Sequence, residues 1–132
     1  MRTALGIDRP NWGTLWDSQV CDKRIALESL IHPKIEPELV WRAPAAVPAT
    51  ATAAEVAALG GEWALGLEVV DPRFPSFNFK ALDNTADNSS SAFVQLGAFA
   101  AIDTVDIADV TVALSLLTML VALFFTQYRV RR

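Results

Sequence analysis

The chain has one cysteine, Cys21, one histidine, His32, and one tyrosine in 132 residues. A single cysteine excludes an internal disulfide and any metal site built on cysteines. Cys21 therefore reads as a reduced thiol. His32 precedes Pro33 and looks like part of a strand entry, and nothing near it supports a Ser-His-Asp relay. Charge is also scarce, at 20% of residues, and the basic side is the poorer: 11 Lys and Arg stand against 15 Asp and Glu. With a net charge of −4 and no basic stripe to neutralise phosphates, a nucleic-acid partner is excluded. Residues 1–8 contain no apolar core of a secretory leader, so a cytoplasmic location is expected.

What is abundant is apolar surface, at 52% of residues, too much for a disordered chain and enough for one domain with a modest core. The informative acids lie within it. In Ile35-Glu36-Pro37-Glu38-Leu39, extended backbone sends Glu36 and Glu38 to the same face. Pro37 lacks a backbone donor, so this stretch is expected at a sheet edge or strand start. Glu68 falls inside the apolar run Leu65–Val70, which is expected to bury it. A buried carboxylate must be neutral, paired or bound to metal. Three carboxylates meeting with no Lys or Arg nearby would suit a hard divalent cation, Mg²⁺ or Mn²⁺.

Along the chain, residues 3–18 read as a loop whose Leu, Ile and Trp side chains are expected to pack on something. Residues 29–42 read as the strand carrying Glu36 and Glu38. Residues 43–51 form a Pro/Ala connector. Thr52-Ala53-Ala54-Glu55 is a capping box that opens a helix ending near Gly60-Gly61. A strand follows from about Ala64 to Val70, closed by Asp71-Pro72. Residues 72–84 alternate aromatic and polar side chains. Residues 85–91 are polar and turn-forming, and Phe93–Leu96 resumes a strand. There is no internal repeat.

Four of these segments together resemble the 2-keto-4-pentenoate hydratase and 4-oxalocrotonate decarboxylase branch of the fumarylacetoacetate hydrolase superfamily. Leu5-Gly6-Ile7-Asp8-Arg9-Pro10-Asn11-Trp12-Gly13 is similar to a family loop, Leu-Gly-Val-Asp-Gln-Pro-Asp-Phe-Gly. Leu30-Ile31-His32-Pro33-Lys34-Ile35-Glu36-Pro37-Glu38 is similar to the family's metal strand. Ala64–Arg73 resembles a Pro-Ala-Leu-Glu-Ile-Val-Asp-Ser-Arg strand, and Thr85–Ser91 resembles Val-Ala-Asp-Asn-Ala-Ser-Ser. The resemblance covers roughly residues 3–107. It implies an α+β, mostly β fold, a partial version of the family's mixed β-barrel core. It implies Mg²⁺ or Mn²⁺ held by Glu36, Glu38 and Glu68, and a small 2-oxo or 2-hydroxydienoate acid as substrate. It also implies proton handling or water positioning by Asp8, with Asp87, Asn88 and Ser90 in a polar loop beside the substrate. The expected activity is hydration of 2-hydroxypenta-2,4-dienoate in aromatic-compound breakdown. Decarboxylation of 4-oxalocrotonate, C–C hydrolysis, or a non-catalytic membrane-anchored or scaffold role are the alternatives.

Two departures shape the expected organisation. The family's upstream Gly-Tyr-Lys segment and its later Gly-Asn-Pro segment have no counterpart in these residues. Residues 1–109 are accordingly read as a partial catalytic core. Residues 110–132 are read as an apolar tail, uncharged from Val110 to Gln127 and followed by Arg129, Arg131 and Arg132. Three readings of the tail compete: a transmembrane tail anchor, a core strand or helix, and the scar of a frameshift or truncation. A partial barrel leaves open strand edges, so an oligomer or a partner-dependent chain is expected.

Overall fold

The computed structural model describes residues 11–21, 24–101, 110–112, 114–116 and 123–124. Asp8 lies outside them. The elements are mainly extended: β1 (Val20–Cys21), β2 (Lys34–Arg42), β3 (Glu62–Val70), β4 (Ser91–Leu96), β5 (Ala100–Ala101), β6 (Ser115–Leu116) and β7 (Leu123–Phe124). Among the described residues, two six-residue helices, Ala53–Ala58 and Ala81–Ala86, and four 3₁₀ turns connect them. The strand order is β1-β4-β3-β2, with β5 also on β3, while β6 and β7 pair antiparallel in a separate ribbon.

Position in the sheet matches composition. β3 is a central strand, and Ala64, Leu67, Val69 and Val70 are buried in it. Each large aliphatic side chain so buried contributes about 1.5–3 kcal/mol. β2 lies at the end of the order, where the missing N–H of Pro37 is tolerated, as the sequence leads one to expect.

The chain divides into two compact units. The first comprises residues 1–36 and 67–96. There β1 runs parallel to β4, with Val20 opposite Val94, and Gln19 Nε2 donates to Ser91 O at 3.1 Å. The backbone N–H of Asp71 donates to Ser90 O at 2.8 Å, and Pro72 is fully buried. The second comprises residues 37–66 and 97–132. Its helix begins at the capping box read from the sequence: Glu55 N–H donates to Thr52 Oγ1 at 3.3 Å, and Thr52 N–H to Glu55 Oε2 at 2.7 Å. The bond from Thr52 N–H, and then the one its hydroxyl donates to Glu55 Oε2 at 2.8 Å, hold the Glu55 carboxyl below its ordinary range. The helix ends where Gly60 and Gly61 take φ of 68° and 114°. At Gly61 a Cβ would lie 2.6 Å from Arg42 O, so the close approach as well as the dihedral selects glycine. Nearby, Arg42 pairs with Glu62 and stacks 4.0 Å from the Phe99 ring.

Several expectations need correction. β2 starts at Lys34, not at residue 29, because residues 27–29 form a 3₁₀ turn and residues 31–32 a bend. Trp12 and Trp16 are 74% and 62% exposed, so what docks their loop is hydrogen bonding rather than aromatic packing. The helix Ala81–Ala86 arises where only alternation and turn residues were legible; Asp83 Oδ2 accepts from Lys80 N–H at 2.9 Å and caps it. Among the described residues no helix is long and apolar enough to cross a membrane. The paired segments β6 and β7 stand where the anchor reading required one continuous helix. An apolar run rich in Val, Leu and Thr fits strand or helix alike, and pairing decides between them.

Candidate metal centre and its polar support

Glu36 and Glu38 project from one face of β2 by the two-residue period of a strand, and Glu68 comes from β3. One carboxylate oxygen from each lies within 4.8 Å of the other two. Glu36 and Glu68 are half-buried and Glu38 is exposed, so the apolar run around Glu68 covers it only in part. Burial, and then the Glu68 charge, raise the Glu36 carboxyl above its ordinary range. Both effects penalise a second negative charge in a poorly hydrated place.

A cation is closer than the sequence reading allowed. The alternation that pairs Glu36 with Glu38 also puts Lys34 on their face, and its charge partly offsets the rise at Glu36. The Lys34 ammonium rests 3.6 Å from the Phe77 ring centroid.

The donor set fits a small divalent cation. Octahedral Mg²⁺ holds oxygens at about 2.0–2.1 Å, which puts ligand pairs about 3–4 Å apart, within reach of small side-chain adjustments from the observed spacing. Carboxylates are the hard donors that Mg²⁺ and Mn²⁺ prefer.

Asp87 and Ser90 occupy a different environment. Both are buried, and their polar atoms meet protein partners. Asp87 forms an ion pair with the Arg73 guanidinium, and its Oδ2 accepts from Arg73 N–H at 3.1 Å. Ser90 Oγ donates to Asn84 Oδ1 at 2.6 Å, and buried Asn84 lies on the helix Ala81–Ala86. Asn88, Ser89 and Ser90 all have positive φ, between 52° and 61°. Three consecutive non-glycine residues in that region are costly, and the surrounding bonds hold them there. Asn88 brackets the preceding loop: its Oδ1 accepts from Thr14 N–H at 2.6 Å and its Nδ2 donates to Thr14 O at 2.9 Å. Thr85 Oγ1 donates to Asn11 Oδ1 at 2.7 Å. The described end of the Asp8 motif, residues 11–14, is therefore docked on the Asp87–Ser90 motif. Gly13 is required in that contact, since a Cβ there would sit 2.7 Å from Asn88 Oδ1. An open cleft of about 440 Å³ borders this region, lined in part by Trp16, Gln19, Asp71, Arg73 and Asn88.

Asp71 does more than close a strand. Asp71 is buried and accepts the N–H of Ile31 at 2.9 Å and of His32 at 2.8 Å, although it was read only as a strand terminator. The half-exposed Arg73 guanidinium pairs with Asp87. The available signal was an acid directly before a proline at a strand end.

Comparison with known proteins places the chain among named relatives. No family model matches the chain. A 2-keto-4-pentenoate hydratase of Burkholderia vietnamiensis is 33% identical over 96 residues, 70% of this chain and 37% of the relative. A 4-oxalocrotonate decarboxylase of a Pseudomonas species is 29% identical over 97 residues, 72% of this chain and 38% of the relative. The structure of 4-oxalocrotonate decarboxylase from Pseudomonas putida G7, complexed with magnesium and adipate, matches with a TM-score of 0.74 at 29% identity, covering 86% of this chain and 45% of that one. The same enzyme has also been solved with calcium and acetate. The chain spans well under half the length of these relatives. Within that span, it is a homologue of the 2-keto-4-pentenoate hydratases and 4-oxalocrotonate decarboxylases and shares the sheet-dominated α+β fold of the latter.

Proposed function

We propose that the chain acts as a divalent-metal-dependent hydratase of the 2-hydroxypenta-2,4-dienoate type. The observation that carries this reading is the approach of the Glu36, Glu38 and Glu68 carboxylates to within 4.8 Å, in a chain 33% identical over 96 residues to a relative named 2-keto-4-pentenoate hydratase. Solved relatives with magnesium or calcium support a divalent cation, for which Mg²⁺ or Mn²⁺ is the natural choice. Bound there, the cation would supply Lewis-acid polarisation of a 2-oxo acid's oxygens. Glu36, Glu38 and Glu68 hold it. Asp8 handles a proton or positions the water added to the alkene, giving a 4-hydroxy-2-oxo acid. Asp87 and Ser90 take the supporting role that their internal bonds suit, shaping the polar loop beside the substrate. Residues 1–109 carry this chemistry, and residues 110–132 form a separate apolar tail.

A decarboxylase reading is supported by the names of two relatives. Offering the full chain the dienol and, separately, 4-oxalocrotonate with Mg²⁺ separates them. Loss of dienol absorbance that needs Mg²⁺ and fails in Glu68→Gln is the expected result. Carbon dioxide release from 4-oxalocrotonate without dienol hydration would favour the decarboxylase. Turnover unaffected by Glu68→Gln would overturn the metal reading.

A further inference from the structure

We propose that Asp71 is a positioning residue for the metal centre: its carboxylate clamps the chain entering β2 and so sets where Glu36 stands relative to Glu68. This rests on the metal reading given above. Asp71 lies three residues beyond Glu68 along the same segment, and its two oxygens take the N–H groups of successive residues, Ile31 and His32, at 2.9 and 2.8 Å. Two charge-assisted bonds from one carboxylate to neighbouring amides fix a segment in both translation and rotation. Asp71 is itself anchored, because it is buried, its N–H donates to Ser90 O at 2.8 Å, and the fully buried Pro72 follows.

Three residues separate His32 from Glu36, and the intervening Pro33 stiffens the path. Side-chain direction in a strand reverses with each residue, so a one-residue slip would send Glu36 to the opposite face. Glu36 and Glu68 repel each other, the Glu68 charge being one of the causes that raise the Glu36 carboxyl. Their approach has to be imposed by backbone, and Asp71 ties the two backbones beside them. An asparagine at this position keeps the size but offers one acceptor and turns an NH₂ group toward the second amide.

The test uses the full chain and Mn²⁺ alone as probe. Mn²⁺ affinity is measured for wild type, Asp71→Asn, Glu68→Gln and Thr85→Ala. The last removes another tie, Thr85 Oγ1 to Asn11 Oδ1, without touching Asp71. Asp71→Asn is expected to weaken Mn²⁺ binding by about 10–100-fold, the range for residues that orient metal ligands, and Thr85→Ala by no more than about twofold. A second measurement needs no variant. Coupling between sites is reciprocal, so Mn²⁺ should slow hydrogen exchange of the Ile31 and His32 amides in the wild type. Wild-type affinity in Asp71→Asn, an equal loss in Thr85→Ala, or unchanged exchange at those amides would each overturn the clamp while leaving the metal centre standing. Failure of the wild type to bind Mn²⁺ would overturn the metal reading, and the clamp with it.

Discussion

Two acidic regions of this molecule use the same chemical groups in opposite ways. At the β2–β3 site, Glu36, Glu38 and Glu68 crowd together, and burial and like charge push the Glu36 carboxyl up. Around the turn after β3, Asp71 and Asp87 are more deeply buried, yet each is met by donors: two amides for Asp71, an amide and a guanidinium for Asp87. Burial alone therefore does not mark a functional carboxylate. Asp71 and Asp87 are compensated by donors that organise the chain, whereas at Glu36 burial and the Glu68 charge outweigh the nearby Lys34, and a bound cation would relieve both.

The contrast can be broken first at Asp87. Asp87→Ala leaves the Arg73 guanidinium and the Arg73 N–H without their partner, while Ser90 keeps Asn84 as acceptor, and it should destabilise the fold by about 3 kcal/mol in urea unfolding, the low end for a broken buried pair because Arg73 is half exposed. Unchanged stability would mean that this acid is not structural. Glu68→Gln should do the reverse: Mn²⁺ affinity should fall by at least about tenfold, with no loss of unfolding midpoint, because ligand charge sets affinity and like-charge repulsion is relieved. Calorimetric titration beside urea unfolding checks both halves.

A smaller effect is expected in pH. The raised Glu36 carboxyl must lose its proton before it can ligate, so Mn²⁺ affinity should begin to fall, as pH is lowered, at a higher pH than for an ordinary carboxylate. Replacing Glu36 by Gln should remove that component of the profile. The smallest effect concerns metal-free stability. A carboxyl raised in the folded state contributes stability that is present at low pH and lost as pH rises through its folded value. Glu36→Gln should thus raise the neutral-pH unfolding midpoint slightly, and the gain should vanish in acid. A lowered midpoint at neutral pH would show that Glu36 makes a stabilising contact instead.

The sequence by itself determined what depends on neighbours along the chain. The two-residue period of extended backbone put Glu36 and Glu38 on one face, Pro37 sent β2 to an edge, and Thr52 with Glu55 opened a helix. Resemblance to a family placed Glu68 with them. The same period placed Lys34 beside the acids, a consequence legible in the sequence but not drawn from it. Only the tertiary structure decided that Asp71 reaches back 40 residues to the Ile31 amide, that Asn88 captures Thr14 across 74, and that Trp12 and Trp16 face outward. It also decided that part of the apolar tail pairs as strands. The physical reason is that a side chain's direction is fixed locally by backbone geometry, whereas its partner is chosen by whichever distant segment the fold brings within about 3 Å.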